Sequence, residues 1–243
     1  MILAISNKDR FLNNFLIPIS RVAESAVLNI NGGNISSLIS TSDNTVIVNA
    51  QYIEPLNDSI KRLNIPDIKK LCRILQCIDE QKLELNLEIN SISYKSQNIK
   101  FKYHLFDDNI IPEPKLNLSK LDKLDFSGNF TITQGTVSSL IKGSTIATET
   151  NKIYISFNDK EVFGELTDKA RANTDSYGLK ISTDYCGAPI SSHIPLNFEI
   201  FRIISSMKFT EIKSKVASST GVFVFDMASE EAQLKFIISA LAN

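Results

Sequence analysis

Cys72 and Cys77 stand five positions apart on a segment of helical period, and Cys186, His104 and His193 complete the short set of side chains able to bind a metal or act as a nucleophile. On a helix turning roughly 100° per residue the two neighbouring thiols diverge by about 140°, and neither histidine is near them in sequence, so a shared metal is not indicated. Cys186-Gly187-Ala188-Pro189 reads as a turn rather than as the seat of a nucleophile with a positioned base. His104 points outward from a strand pattern and His193 stands in a loop before Pro195, so both read as surface histidines. Glu84 and Glu88 repeat on the polar side of a strand, where solvated carboxylates are the ordinary outcome. No catalytic residue, metal or cofactor is expected, which leaves the placement of charge as the informative chemistry.

Composition narrows the classes further. The 243 residues are 43% hydrophobic and 22% charged, with a formal net charge of -1, and the mean hydropathy is -0.02. That is a globular profile, neither disordered nor collagen-like. No apolar run approaches the ~18 residues of a membrane helix. The opening Met1-Ile-Leu-Ala-Ile5 is short for a signal-peptide core, and Lys8, Asp9 and Arg10 follow it instead of preceding it. Three cysteines, an odd and sparse set, suit a reducing compartment. A cytoplasmic protein with no membrane partner is expected.

The elements that carry the charges can be read from periodicity. Leu83, Leu85, Leu87 and Ile89 alternate with Glu84, Asn86, Glu88 and Asn90, and similar alternation marks 99–105, 153–157 and 179–183. Asn31-Gly32-Gly33-Asn34, Ser42-Asp43-Asn44 and Asn158-Asp159 are hairpin signals between strands, too short for parallel crossovers. Four segments carry a helical period instead. The first holds Phe11, Leu12, Phe15 and Leu16 after a cap at Ser6 or Asn7, with Pro18 expected to bend or end it. The second opens at Pro66-Asp67 and aligns Ile68, Leu71, Ile74, Leu75 and Ile78. The third spans about 134–145, weakened by Gly135 and Gly143, and the fourth about 197–207.

The two halves repeat one element order: a strand, a helix, hairpin strands, a second helix and three more strands. An α+β protein of two tandem βαβββ-repeat domains is expected, 1–108 and 125–243, joined by an extended connector at 109–124 that contains Pro112 and Pro114. On the helices the polar side is basic: Arg10, Asn14 and Arg21 on the first, Lys69, Lys70 and Arg73 on the second, Lys142 on the third, and Arg202 and Lys208 on and after the fourth. Glu84, Glu88, Asp107, Asp108, Glu113, Asp122, Glu230 and Glu231 fall on strands, loops and the connector. Sparse cations without interleaved aromatics suit contact with duplex phosphates and no reading of bases.

With Phe11-Leu12-Asn13-Asn14-Phe15-Leu16, Ile68-Lys69-Lys70-Leu71-Cys72-Arg73-Ile74-Leu75, Gly178-Leu179-Lys180-Ile181-Ser182 and the apolar ending Leu234 to Ala242, this organisation resembles the ring-shaped DNA sliding clamps. The likeness is to the two-domain, trimeric type of eukaryotes, archaea and tailed bacteriophages, and the Asn/Ile/Lys/Ser-rich composition suits a viral or phage-like origin. The resemblance implies sheets outside and helices lining a channel, with the nine polar helix residues just named facing double-stranded DNA without regard to sequence. It implies a homotrimer joined by edge strands, through Ile99, Phe101, Tyr103 and Leu105 on one copy and Tyr177, Leu179 and Ile181 on the next. It implies an apolar pocket for partner peptides at Val46, Val48, Leu118, Leu121, Ala240 and Leu241, used by a DNA polymerase. Nothing in the chain resembles a nucleotide-binding loop, so a separate clamp loader is implied as a partner. The function expected is that of a non-enzymatic processivity factor in DNA replication. The alternative is a monomeric or dimeric DNA-binding polymerase accessory subunit of the same fold.

Overall fold

Asn7 starts the first helix: its side-chain oxygen accepts from the Arg10 N–H at 3.0 Å while its own backbone is extended. In the computed structural model, which describes residues 1–54, 61–116 and 118–242, helix α1 (Lys8–Phe11) runs into a π-helical turn (Leu12–Leu16) and on into α2 (Ile17–Val22). Pro18 therefore does not end the helix. The Ile17 N–H donates to the Leu12 carbonyl five residues back, and this widened turn is where a proline ring would otherwise collide with the preceding turn. Phe11, Leu12, Phe15, Leu16 and Ile19 are all buried. Phe11 and Phe15 pack against Tyr52 with ring centroids 5.1 and 5.9 Å away, a cluster that adds about 0.5–1.5 kcal/mol per ring pair beyond area burial.

The chain divides into two compact units. The first comprises Met1–Ser42, Val48–Pro114 and Ala228–Leu234, and the second Asp43–Ile47, Lys115–Met227 and Lys235–Asn243. The division falls at Pro114, within the span expected to be the connector, and the units are not contiguous in sequence. Strand β4 (Val46–Ile53) and the last strand, β17 (Ala232–Ser239), each contribute residues to both.

In the first unit the order is β1 (Ile2–Ile5), α1, the π turn, α2, β2 (Ala26–Asn31), β3 (Asn34–Ser40), β4, β5 (Lys61–Ile65), α3 (Ile68–Gln76), β6 (Leu83–Leu87), β7 (Ser91–Lys95) and β8 (Lys100–His104). This is βαβββ twice over. Gly32 and Gly33 form the two-residue turn between β2 and β3, both at positive φ (43° and 86°), as a tight hairpin turn requires. One sheet has the order β1-β6-β7-β8, and β5-β2-β3-β4 are hydrogen-bonded neighbours in that order within a larger sheet, with registers such as Leu3 opposite Leu85 and Ile92 opposite Tyr103. Asp67 caps α3 by accepting from the Lys70 N–H at 2.7 Å; Ile68, Leu71 and Leu75 then lie fully inside while Lys69, Lys70 and Arg73 stay exposed.

The second unit repeats the pattern with α4 (Leu118–Leu121), β9 (Gly128–Thr133), α5 (Gln134–Gly143), β10 (Lys152–Asn158), β11 (Glu161–Leu166), β12 (Tyr177–Ser182), the two-residue β13 (Cys186–Gly187), β14 (Ile194–Asn197), α6 (Glu199–Ser205), β15 (Glu211–Ala217), β16 (Val222–Ala228) and β17. The connector is therefore not wholly extended: α4 interrupts it. One sheet is ordered β12-β11-β10-β14, and β13-β9-β15-β16-β17 are hydrogen-bonded neighbours in that order within a larger sheet. Thr133 caps α5 by accepting from the Thr136 N–H at 3.2 Å. Both helices are shorter than their periodicity suggested. Phe198 stacks on Phe201 at 5.8 Å, and Phe201 meets Phe225 at 6.1 Å, joining α6 to β16. Among the described residues no helix is long and apolar enough to cross a membrane.

Candidate nucleic-acid interface and assembly surfaces

In the first unit, α2 and α3 pack side by side and leave an open groove of about 580 Å³ between their polar faces. Arg21, Lys69 and Arg73 line it together with the acids Glu24 and Asp67. Burial of the apolar stripes dictates this arrangement, because each helix turns its cations away from the sheet that covers its other side. Among the described residues none of Arg21, Lys69, Lys70 and Arg73 has a carboxylate within ion-pair distance. Some cations elsewhere do: Lys102 with Glu88 at 2.8 Å, Lys180 with Glu161 at 2.5 Å, Arg62 with Glu113 at 2.8 Å and Arg171 with Asp168 at 3.2 Å.

Arg10 departs from the expected sorting of charge. Its guanidinium pairs with Glu231 and lies 3.4 Å from Glu230, two acids expected to sit apart from the helices. A separation of 220 residues puts that contact beyond any sequence-local argument. Asn14 is half-buried in the π turn. The floor of the groove is inert: burial pushes the Cys72 thiol up to about 12, with Asp67 adding to the rise and the residue's own backbone hydrogen bond opposing it.

The second unit pairs α5 with α6, and their exposed positions are less basic. Gln134, Gly135, Ser138 and Lys142 are exposed on α5, and Arg202, Ser205, Ser206 and Lys208 on and after α6. Lys142 and Lys208 have no carboxylate partner among the described residues. Arg202 is engaged: it pairs with Glu199 at 3.1 Å and lies 5.1 Å from the Phe198 ring centroid.

Strands β8 and β12 are each the outermost strand of a four-stranded sheet. Their apolar side chains differ in burial along the strand. Phe101 on β8, and Tyr177 and Leu179 on β12, are half-buried, as are Ile99 just before β8 and Leu105 just after it. Tyr103 and Ile181 are buried inside their own units, so neither offers its side chain to another molecule. Tyr103 donates its hydroxyl to the Asp67 carbonyl at 2.7 Å, tying β8 to the cap of α3. Sequence reading passed over two apolar side chains beside these strands. Phe106, just after β8, is 44% exposed, and Ile146, just after α5, is 54% exposed; α5 packs against β12.

The apolar surface of the second unit is built differently from expectation. Leu121, Val224 and Ile237 form its buried base, and Ile47, Leu116, Leu124, Phe126 and Val222 pack over them half-exposed. Leu121, expected there, is part of it. Val46 and Val48, also expected there, are not: they are 0% and 1% exposed and point into the core, whereas Ile47 between them packs on the patch. The run Val46-Ile47-Val48 is apolar on both sides of the strand, so alternation alone does not fix its parity. Leu118 is helical, but its side chain lies outside the described residues. Ala240 and Leu241 are half-buried beyond β17, held by Ala240 N–H to Gly221 O (2.7 Å) and Leu241 N–H to Pro195 O (2.8 Å). Continuous apolar runs at Val222-Phe223-Val224-Phe225 and Phe236-Ile237-Ile238 signal strands covered on both faces, the pattern that would have exposed this patch. Among the described residues no group of three or more His, Cys, Asp or Glu side chains is arranged to hold a metal.

No protein-family model matches the chain, and no curated protein sequence matches it. Solved structures do. A structure described as the C-terminal region of FEN-1 bound to A. fulgidus PCNA superposes with a TM-score of 0.76 at 11% identity, covering 100% of this chain and 98% of that one. The proliferating cellular nuclear antigen of Entamoeba histolytica gives 0.76 at 12% identity over 99% and 98%. A putative DNA polymerase III beta subunit from Eubacterium rectale gives 0.73 at 11% identity, covering 100% of this chain but 66% of that one. The chain has the α+β fold of the DNA sliding clamps, at the length of the two-domain type.

Proposed function

We propose that this chain is a DNA sliding clamp: three copies join head to tail into a closed ring that encircles duplex DNA and tethers a DNA polymerase to it. The observation that carries the reading is a cluster of exposed cations on two paired helices of a clamp fold. Arg21, Lys69, Lys70 and Arg73 stand exposed on the polar faces of α2 and α3, with no carboxylate within ion-pair distance among the described residues. Exposed cations with no carboxylate of their own are available to phosphates, and contact of that kind is weak, salt-sensitive and indifferent to sequence. A ring holds DNA by topology, so weak contact suffices and lets the ring slide. Lys142 and Lys208 extend the face more sparsely in the second unit, with Arg202 held partly by Glu199.

Antiparallel pairing of β8 with β12 of the next copy accounts for two outermost strands and for Phe106 and Ile146, which self-association would cover. The patch of Ile47, Leu116, Leu124, Phe126 and Val222 takes an apolar segment of the polymerase or another client; in the A. fulgidus structure the partner is described as a C-terminal region of FEN-1. The chain performs no catalysis in this reading, and a separate loader opens the ring. A phage-like, replicative setting in the host cytoplasm fits the composition.

The test is absolute mass in solution by light scattering, followed by retention on circular and linearised DNA. A mass near three times 27.1 kDa, with protein kept on loaded circles and lost from linear ends, is the expected result. A stable monomer or dimer that binds DNA regardless of ends would replace the ring with a non-ring accessory subunit of the same fold.

A further inference from the structure

Beyond the apolar patch, the second unit carries a separate pocket of about 370 Å³ lined by Lys152, Tyr154, Lys169, His193, Pro195 and Ala242. The sheet builds it. Lys152 and Tyr154 are two apart on β10 and so share a face, and Tyr154 is opposite Pro195 of β14 in register. That face is the reverse of the one carrying Ile153 and Ile155, which are buried in the core. Lys169 reaches back with its Nζ 4.8 Å from the Tyr154 ring centroid and pairs with Glu165 at 3.1 Å. Lys152 has no carboxylate partner among the described residues. The pocket thus has apolar walls in Tyr154, Pro195 and Ala242, and three basic residues around its mouth against the single acid Glu165.

We infer that this pocket receives an acidic side chain carried on an apolar segment of a docked partner protein, an inference that rests on reading the neighbouring patch as a docking surface. The occupant follows from charge complementarity and continuity. Walls this apolar suit a carboxylate on a peptide better than a hydrated phosphate backbone, and the cationic mouth selects its sign. The C-terminal segment links the two places: Ile237 lies in the base of the patch, Ala240 is bonded to Gly221 beside Val222, and Leu241 is bonded to Pro195 at the pocket. Five residues separate Ile237 from Ala242, at most about 17 Å of extended chain. An extended partner segment therefore places its acid about five positions from its apolar anchor. The carboxylate displaces Glu165 from Lys169 and adds a contact to Lys152.

Selection from a random dodecapeptide display library against the intact protein tests this, with Lys152→Glu/Lys169→Glu, the neutral Lys152→Gln/Lys169→Gln, and Leu116→Asp in the patch selected in parallel. All variants are checked for unchanged circular dichroism first. Wild-type selections are expected to return an apolar anchor with Asp or Glu enriched at a constant offset. The charge-reversed variant keeps the anchor and loses the acid, Gln/Gln reduces the enrichment, and Leu116→Asp loses the anchor. The best wild-type peptide weakens about tenfold on charge reversal, the sum for two exposed charge contacts. Anchored peptides without acid enrichment, or an enrichment that survives charge reversal, would overturn the pocket while sparing the patch. Acid-enriched peptides indifferent to Leu116→Asp would sink the patch and leave the pocket standing, and recovery of no peptide would remove both.

Discussion

The amide of Ile17 donates to the carbonyl of Leu12, one residue further back than an α-helix allows. That single wide turn lets one helical rod contain Pro18, keep Phe11, Phe15 and Ile19 buried, and carry Arg21 out to the groove beside α3. Removing the extra residue tests the relationship. Deletion of the exposed Asn13 converts the turn to regular α geometry with the flanking faces still in phase, and forces Pro18 into it at a cost of about 3 kcal/mol. The same deletion with Pro18→Ala recovers most of that loss. Denaturant unfolding of the two variants measures it.

Simultaneous Lys69→Ala, Lys70→Ala and Arg73→Ala removes three exposed, unmatched cations while leaving Ile68, Leu71 and Leu75 in place. Stability should change by no more than about 0.5 kcal/mol per site, as for other exposed positions. Stimulation of polymerase processivity should fall, with the deficit against wild type largest at low salt and narrowing as salt is raised. Unchanged processivity across a salt series would take α3 out of the DNA-facing surface. Arg10→Ala should have a smaller effect, because Glu230 and Glu231 already occupy its guanidinium.

Gly143 lies in α5, where alanine ordinarily gains about 1 kcal/mol over glycine. Here a Cβ at Gly143 would fall 2.0 Å from Cε1 of Tyr177 on β12. Gly143→Ala is therefore expected to lower the melting temperature, the reverse of its effect in an open helix, and to displace Tyr177 from the edge strand proposed for assembly. Gly143→Ala with Tyr177→Ala should restore the helix gain, a coupling that a double-mutant cycle reads directly. Phe106→Asp and Ile146→Asp, both at exposed sites, should leave the fold intact and reduce the solution mass toward that of one chain. A mass unaffected by either would mean that assembly does not use these edges.

Of the three free thiols, Cys77 and Cys186 are exposed and Cys72 is buried. Burial pushes the Cys72 thiol up to about 12, so it stays protonated throughout the neutral range and the reactive thiolate is absent. A thiol-exchange reagent at pH 8 should titrate two groups in the native protein and three after denaturation. Three fast native equivalents would mean that α3 opens locally under native conditions.

Much of this architecture is written in short-range pattern. Alternation locates β6, β8, β10 and β12, paired glycines locate the β2–β3 turn, and the Asp67 cap with the Ile68, Leu71 and Leu75 stripe locates α3 and its basic face. These follow from residues within a few positions of one another, because strand and helix periods decide which side chains share a face. The tertiary structure alone decided the rest. Arg10 meets Glu230 and Glu231 only because β17 returns to the first unit, and Ile47 rather than Val46 or Val48 reaches the apolar patch because neighbouring elements select which side of an apolar strand is covered. Pro18 survives inside a helix because burial of the stripe on both sides of it outweighs the cost of one widened turn. Local sequence sets which elements form and which faces they own; contacts between residues hundreds of positions apart set which of those faces remain free to meet another molecule.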